Sequence, residues 1–293
     1  MNKFIYKLLR KLGFKIENIK KKRKLIIKDL NSFKVITNIE LLRKSYQFVH
    51  SLKKEYPNLE IEDHSNGVIF KINKLKVYVE TVEEILILNE IFVKKDYNFF
   101  TKDKIVLIDI GANIGIASLF FSLQENIKKI YAFEPVDVTF NLAIENLNRN
   151  EKISKIESIY NYGLGKNERK EVFSFNPNVK GNTGLRGVLS TSFRRDLVSE
   201  KEVIIKNASD EINKILKDNS KYKIGVKMDC EGSEYEIFES LEETGVLKNI
   251  DLFMIEWHDK GAVAIEKLLK KNNFMFFSQK FTFNSGIIYA VKQ

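Results

Sequence analysis

The chain has little to cross-link it and little to place it in a membrane. Among its 293 residues there are one cysteine, three prolines and three histidines. A lone Cys230 forms no internal disulfide, and without a cysteine pair or a His-x-His spacing a structural zinc site is not expected. No apolar run reaches the roughly eighteen residues of a spanning helix. The N-terminus lacks the apolar core and small-residue cleavage site of a secretory signal, so the expected location is cytoplasmic.

A general excess of one charge is also missing, although the net charge is +10. Residues 1–60 carry 16 Lys and Arg against 5 Asp and Glu, and the remainder carries 33 against 34. A basic stretch confined to one end argues against nucleic acid as the partner. Within it Phe4, Ile5, Leu8, Leu9 and Leu12 recur at helical spacing among lysines, and the polybasic "KIENIKKKRKL" follows. Two readings stand: an apolar stripe packed on the protein itself, or peripheral contact with an anionic membrane at the inner face.

Residues 33–56 show the period of a second helix, and "GVIFKINKLKVYVE" alternates as a β-hairpin. Val82 to about Tyr97 reads as a helix leading into the main domain. From 104 onward strands and helices alternate, the pattern of a parallel sheet covered on both faces. Strands are expected at 104–110, 129–134, 155–160, 223–229, 251–256, 274–278 and 286–292, with helices near 115–124, 137–149, 208–218, 233–240 and 261–272. Only "QKFTFNS" separates the last two strands, too little for a crossover, so they should pair antiparallel. The fold class is therefore α/β: a doubly wound, seven-stranded, mostly parallel sheet with an antiparallel last strand and an N-terminal helical and hairpin extension. Domain bounds of 1–82 and 83–293 follow. The region 166–203 is less regular, and within it "NPNVKGNTGLRGVLSTS" (176–192), rich in Gly, Asn, Ser and Thr, reads as a long loop near the ligand edge, a natural lid.

The turn "DIGANIG" at 109–115 follows the first of these strands. Counted from Gly111, the glycine positions of a dinucleotide fingerprint fall on Asn113 and Ile116, and no lysine follows Gly115 until Lys128, so neither a pyrophosphate nor a P-loop cradle is present. A carboxylate ahead of the turn, Asp109, suits a cationic ligand such as the sulfonium and amino groups of S-adenosylmethionine; an N-cap role is equally open. As a direct contact, Asp109 should be removable with loss of cofactor binding and an intact fold. Glu134 ends the second strand 19 residues after Gly115, where such sheets place a carboxylate on ribose hydroxyls; this fits NAD and S-adenosylmethionine alike. "NYGLG", with Asn161 and Gly163, either passes near an adenine or is a plain turn.

Together "LIDIGANIGIASLF", "AFEPV", "NLAIENLNRN", "VKMDCEGSEYEIFES" and "FMIEWH" resemble the FkbM-type methyltransferases over about residues 84–292. The resemblance implies the class I methyltransferase (Rossmann-like) sheet, S-adenosyl-L-methionine as cofactor and O-methylation of hydroxyls on sugars or related metabolites. It implies that Asp109, Gly111, Asn113 and Gly115 surround the methionyl part and that Glu134 holds the ribose. Asp229, Glu231 and Gly232 then lie at the mouth of the site. Cys230 reads as packing rather than as a nucleophile.

Methyl transfer to a hydroxyl calls for a base or an electrostatic aid near the attacking oxygen. Asp229, Glu231, Glu256 and His258 end strands four and five on the ligand edge, and His258 or Asp229 is the expected base. The three acids also raise a divalent metal, but spacing gives no ligand geometry and no metal is assigned. The prolines are never adjacent, which removes the Asp/Asn-Pro-Pro turn that grips amino groups of bases. The expected function is O-methylation of a carbohydrate (surface polysaccharide or glycolipid) or related secondary metabolite. A non-catalytic cofactor-fold module and an NAD-dependent oxidoreductase remain as alternatives.

Overall fold

The computed structural model describes residues 7, 9, 11–14, 19–153, 155–185 and 197–293. The helix read at 4–12 lies mostly outside these residues. In chain order come helices α1 (Ile19–Leu30), α2 (Ile39–Lys44) and α3 (Tyr46–Glu55), then strands β1 (Glu60–His64), β2 (Gly67–Ile72) and β3 (Leu75–Val79). The helix expected over 33–56 is two helices broken at Ser45, whose hydroxyl donates to the Leu41 carbonyl at 2.6 Å and so loads the turn that should have continued. The expected hairpin gains a third strand, β1, antiparallel to β2.

Helix α4 (Val82–Asn89) opens with a capping box between Thr81 and Glu84 and runs into a π-helical turn at Glu90–Lys94, shorter than the expected helix to Tyr97. There follow β4 (Ile105–Ile110), α5 (Ile116–Ser122), β5 (Ile127–Phe133), α6 (Asp137–Asn148), β6 (Ile156–Tyr160), β7 (Gly163–Gly165), β8 (Arg169–Phe175), β9 (Ser199–Asn207), α7 (Ala208–Asp218), β10 (Lys223–Met228), α8 (Glu234–Glu243), β11 (Leu252–His258), α9 (Val263–Lys271), β12 (Phe274–Lys280) and β13 (Ser285–Lys292).

The main sheet has the order β12-β13-β11-β10-β4-β5-β6, all parallel except β13, which runs against both neighbours. This is the seven-stranded arrangement expected from sequence. Every residue of β4 is buried, as an interior parallel strand covered on both faces requires. Strand order reverses between β4 and β10, and open sheets bind ligands at that point.

Strands β8 and β9 flank the loop read at 176–192 and, with β7, form a small sheet of order β7-β9-β8 that was not expected from sequence. Phe173, Phe175, Val203 and Ile205 alternate inward and form a separate core with Val136. Residues 186–196 lie outside the described residues.

The N-terminal extension shares a core with the main sheet: Leu42, Val49, Phe70 and Val77 belong to one buried cluster with Leu107, Leu119 and Met254. Helix α6 also closes the free edge of β3. Asn146 accepts from Tyr78 N at 2.7 Å and donates to Tyr78 O at 3.2 Å; Asn150 does the same with Lys76, at 2.9 and 2.7 Å. Four helical residues rise about 6 Å and two strand residues about 6.7 Å, so asparagines at i and i+4 match alternate residues of an edge strand. Asn146 also donates to Ile114 O at 3.0 Å, which ties the extension to the turn after β4. Asn146→Ala leaves these buried backbone groups unpaired and should cost about 2–4 kcal/mol, read as a lower denaturant midpoint with an unchanged slope.

Candidate active site

A cavity of about 1020 Å³ opens at the switch point, between the turn after β4 and the turn after β10. Gly111, Asn113, Glu134, Gly163, Asp229 and Glu231 line it; Asp109, Gly115, Asn161 and His258 do not. Gly111 has φ +79°, and a Cβ there would stand 1.8 Å from the Asp229 carbonyl oxygen, so only glycine lets the two turns touch. Gly115, at φ +82°, starts α5 and serves the turn's shape rather than a ligand contact. Asn161 is exposed and donates to the Glu134 and Pro135 carbonyls at 3.1 and 3.2 Å, outside the cavity.

Asp109 is fully buried behind the wall. Its carboxylate accepts from Ser118 Oγ at 2.6 Å and stands 3.1 Å from Lys227 Nζ. Lys227 is its cross-strand partner on β10, itself 3% exposed, and donates to the Gly111 carbonyl at 2.7 Å. Burial works to lower the lysine's pKa, but the charge of Asp109, then of Asp229, more than reverses this. Asp109 therefore shapes the turn through Lys227 instead of facing a ligand. The lysine was legible as the one charge in "IGVKM", opposite the one charge in "IVLIDI".

Glu134 lines the cavity with most of its acceptor capacity in use: Oε1 takes Val136 N at 2.9 Å and Thr139 Oγ1 at 2.8 Å, and Oε2 takes Asn113 N at 2.8 Å. One lone pair of Oε2 is left for a ligand hydroxyl. Asn113 Oδ1 and Thr183 Oγ1 are buried without a hydrogen-bond partner, and both residues line the cavity. Such atoms are rare unless something else meets them.

The far wall is acidic. Tyr97, from the stretch before β4, places its hydroxyl 3.0 Å from Asp229 Oδ2 and 3.2 Å from Glu256 Oε2, a bridge that sequence reasoning missed. A phenol has one proton to donate, so both contacts are hydrogen bonds only when a carboxyl carries a proton. Burial, then repulsion from Asp229, pushes Glu256 up to about 8, which identifies it as that carboxyl.

His258 is not the neutral base expected. Its Nδ1 lies 2.8 Å from the buried Glu234, and Nε2 stands 3.8 Å from Glu231 and 3.7 Å from Glu256. Burial alone would lower its pKa, but the hydrogen bond and charge of Glu234, with Glu231 and Asp229, push it up to about 10. Cys230 is held as a thiol, its pKa raised by burial and by Glu234, consistent with packing rather than attack.

A strap over residues 176–185 crosses the cavity. Lys180 donates to Glu80 at 2.8 Å and Glu84 at 2.7 Å, while Gly181 N and Asn182 Nδ2 donate to Glu83 at 3.0 and 2.7 Å. Gly184 packs so closely on the other side that a Cβ would stand 2.5 Å from that of Glu231. The described part of the expected lid does therefore lie over the site.

Residues 109–276 match the Methyltransferase FkbM domain. The chain belongs to the FkbM methyltransferase family. Membership sets aside the oxidoreductase alternative: this is a methyltransferase. Methyltransferase sdnD of Sordaria araneosa is 25% identical over 229 residues, covering 70% of this chain and 88% of that protein. Methyltransferase 1 of Beauveria bassiana (strain ARSEF 2860) is 27% identical over 197 residues, covering 61% and 76%. Among solved structures, the methyltransferase FkbM from Methylobacillus flagellatus KT aligns over 85% of this chain and 59% of its own, at 12% identity and a TM-score of 0.43. No described helix of this FkbM methyltransferase is long and apolar enough to cross a membrane.

Asp109→Ala should leave Lys227 buried with only the more distant Asp229 as a counter-charge, at a cost of about 3–5 kcal/mol. Adding Lys227→Met should recover much of that loss in a denaturant melt. An Asp109→Ala protein as stable as wild type would mean that the pair carries no structural role.

Proposed function

We propose that the protein is an S-adenosylmethionine-dependent O-methyltransferase acting on a hydroxyl of a small carbohydrate or a related secondary metabolite. The observation that carries this is one cavity lined both by the polar groups of Asn113, Glu134 and Thr183 and by the acids Asp229, Glu231 and Glu256. The cofactor fits the first set. The unmatched Asn113 Oδ1 suits its amino group, and the remaining lone pair of Glu134 Oε2 suits a ribose hydroxyl. Bound there, S-adenosylmethionine supplies a methyl group on a positively charged sulfur. The acids both receive the acceptor and deal with its proton: a carboxylate of the Asp229–Glu256 pair accepts it from the hydroxyl, with Tyr97 holding the pair in place.

The mixed lining supports a polyol with an apolar face, since Leu86, Ile87, Ile91 and Phe48 line the same cavity as the acids. Peripheral membrane contact through the basic N-terminus would bring the enzyme to lipid-linked acceptors; the charge of residues 1–60 supports that reading. A purely non-catalytic module is disfavoured by the arrangement of the acids, since a binding module has no use for two carboxyls sharing one phenol.

Calorimetry with S-adenosylhomocysteine, paired with transfer of labelled methyl to a panel of hydroxylated glycans, tests the proposal. One site per chain is expected. Asp229→Asn should lower transfer by about 100-fold or more while the affinity for S-adenosylhomocysteine changes little. Binding of a nicotinamide dinucleotide in place of S-adenosylhomocysteine would refute it.

A further inference from the structure

We infer that Asp229, Glu231 and His258 hold a divalent cation on the acceptor side of the cavity, a deepening of the methyltransferase reading that rests on it. One ligand atom from each residue lies within 4.8 Å of the other two. Three ligands at about 2.2 Å from one cation stand about 3.1–3.8 Å apart, so closure by about an ångström or somewhat more completes the contacts.

The geometry of His258 is the independent pointer. Its ring is 3% exposed, and its Nδ1 is 2.8 Å from Glu234 Oε1. Glu234 is in turn fixed by Gly232 N at 2.9 Å and Cys230 N at 3.4 Å, so it acts as the acceptor and Nδ1 as the donor. Nε2 is thereby turned toward Glu231 Oε1 and Glu256 Oε1, at 3.8 and 3.7 Å, beyond hydrogen-bond reach of either, and a cation bound there would displace the proton that these acids otherwise hold on the ring. A carboxylate gripping one ring nitrogen while the other faces acidic oxygens is how metal-ligating imidazoles are oriented.

The backbone shows the same emphasis. Glu231 sits at φ +49°, a region costly for a residue with a long side chain, and Gly232 follows at φ +106°. That turn carries Glu231 from the end of β10 to within 3.8 Å of the histidine that ends β11. Two carboxylates and one imidazole suit a first-row ion such as Mn²⁺. Beside the acceptor hydroxyl, the ion would lower the hydroxyl's pKa, and its proton would pass to the Asp229 carboxylate oxygen not bound to the ion as the oxygen attacks. This departs from the metal-free expectation drawn from sequence.

The test uses the full chain and Mn²⁺ alone. Titration followed by electron paramagnetic resonance should show one tight site per chain, and pulsed spectra of the bound ion should show nitrogen modulation from one imidazole. His258→Gln should remove the modulation and weaken binding by about tenfold or more. No binding at millimolar Mn²⁺, or bound ion without nitrogen modulation in the wild-type protein, overturns the inference, and the second readout needs no variant to fold. S-adenosylhomocysteine binding in the same preparation separates the two ideas. Cofactor bound without any metal site refutes the inference alone, and metal bound without cofactor affinity refutes the cofactor reading alone.

Discussion

A lysine and an aspartate buried face to face across the two central strands hold the site in shape. Asp109 and Lys227 are register partners on β4 and β10, the strands between which the sheet reverses its order. Two charges taken out of water gain little net stability as a pair, whereas losing either one is costly. What the pair provides is position. Lys227 reaches past Asp109 to the Gly111 carbonyl, stands 4.0 Å from Asp229 and lies over the Tyr97 ring at 5.4 Å. One ammonium thus touches the glycine turn and the acidic wall together, and Gly111 can press on the Asp229 backbone only because nothing projects from its Cα.

Many residues that line the cavity precede the family-matched region. Tyr97, Glu83, Glu90 and Leu86 come from α4 and the stretch after it, and Leu41 and Phe48 from the helices before β1. Burial pushes Glu83 up to about 7 although Gly181 and Asn182 bond to it, and Glu231 adds repulsion. The strap is thus clasped to α4 through a group crowded by the acids of the site. The extension is held in place by a buried core that it shares with the main sheet.

Much of the sheet was legible because interior parallel strands read as uninterrupted apolar runs, and "IVLIDI" and "LFMIEWH" leave few other assignments. Strands β8 and β9 were not, since "RKEVFSF" buries only Phe173 and Phe175 and leads directly into the loop-like stretch at 176–192. The turn residues Gly111, Asn113 and Glu134 could be placed from spacing, because strand ends fix where they emerge. Asp109 could be located but its role could not, since that depends on register with Lys227, 118 positions later. His258 failed for a related reason: its charge is set by Glu234 and by burial, neither of which spacing reveals. Tyr97 left no signal beyond its place in the lead-in segment.

Amide hydrogen exchange with and without S-adenosylhomocysteine tests most directly the central claim that the turn after β4, Glu134 and the strap form one cofactor site. Slowed exchange is predicted together at residues 111–113, at Val136, whose amide bonds to Glu134, and at Gly181 and Thr183 in the strap. Protection confined to other parts of the chain, or none in the presence of saturating S-adenosylhomocysteine, would contradict the account.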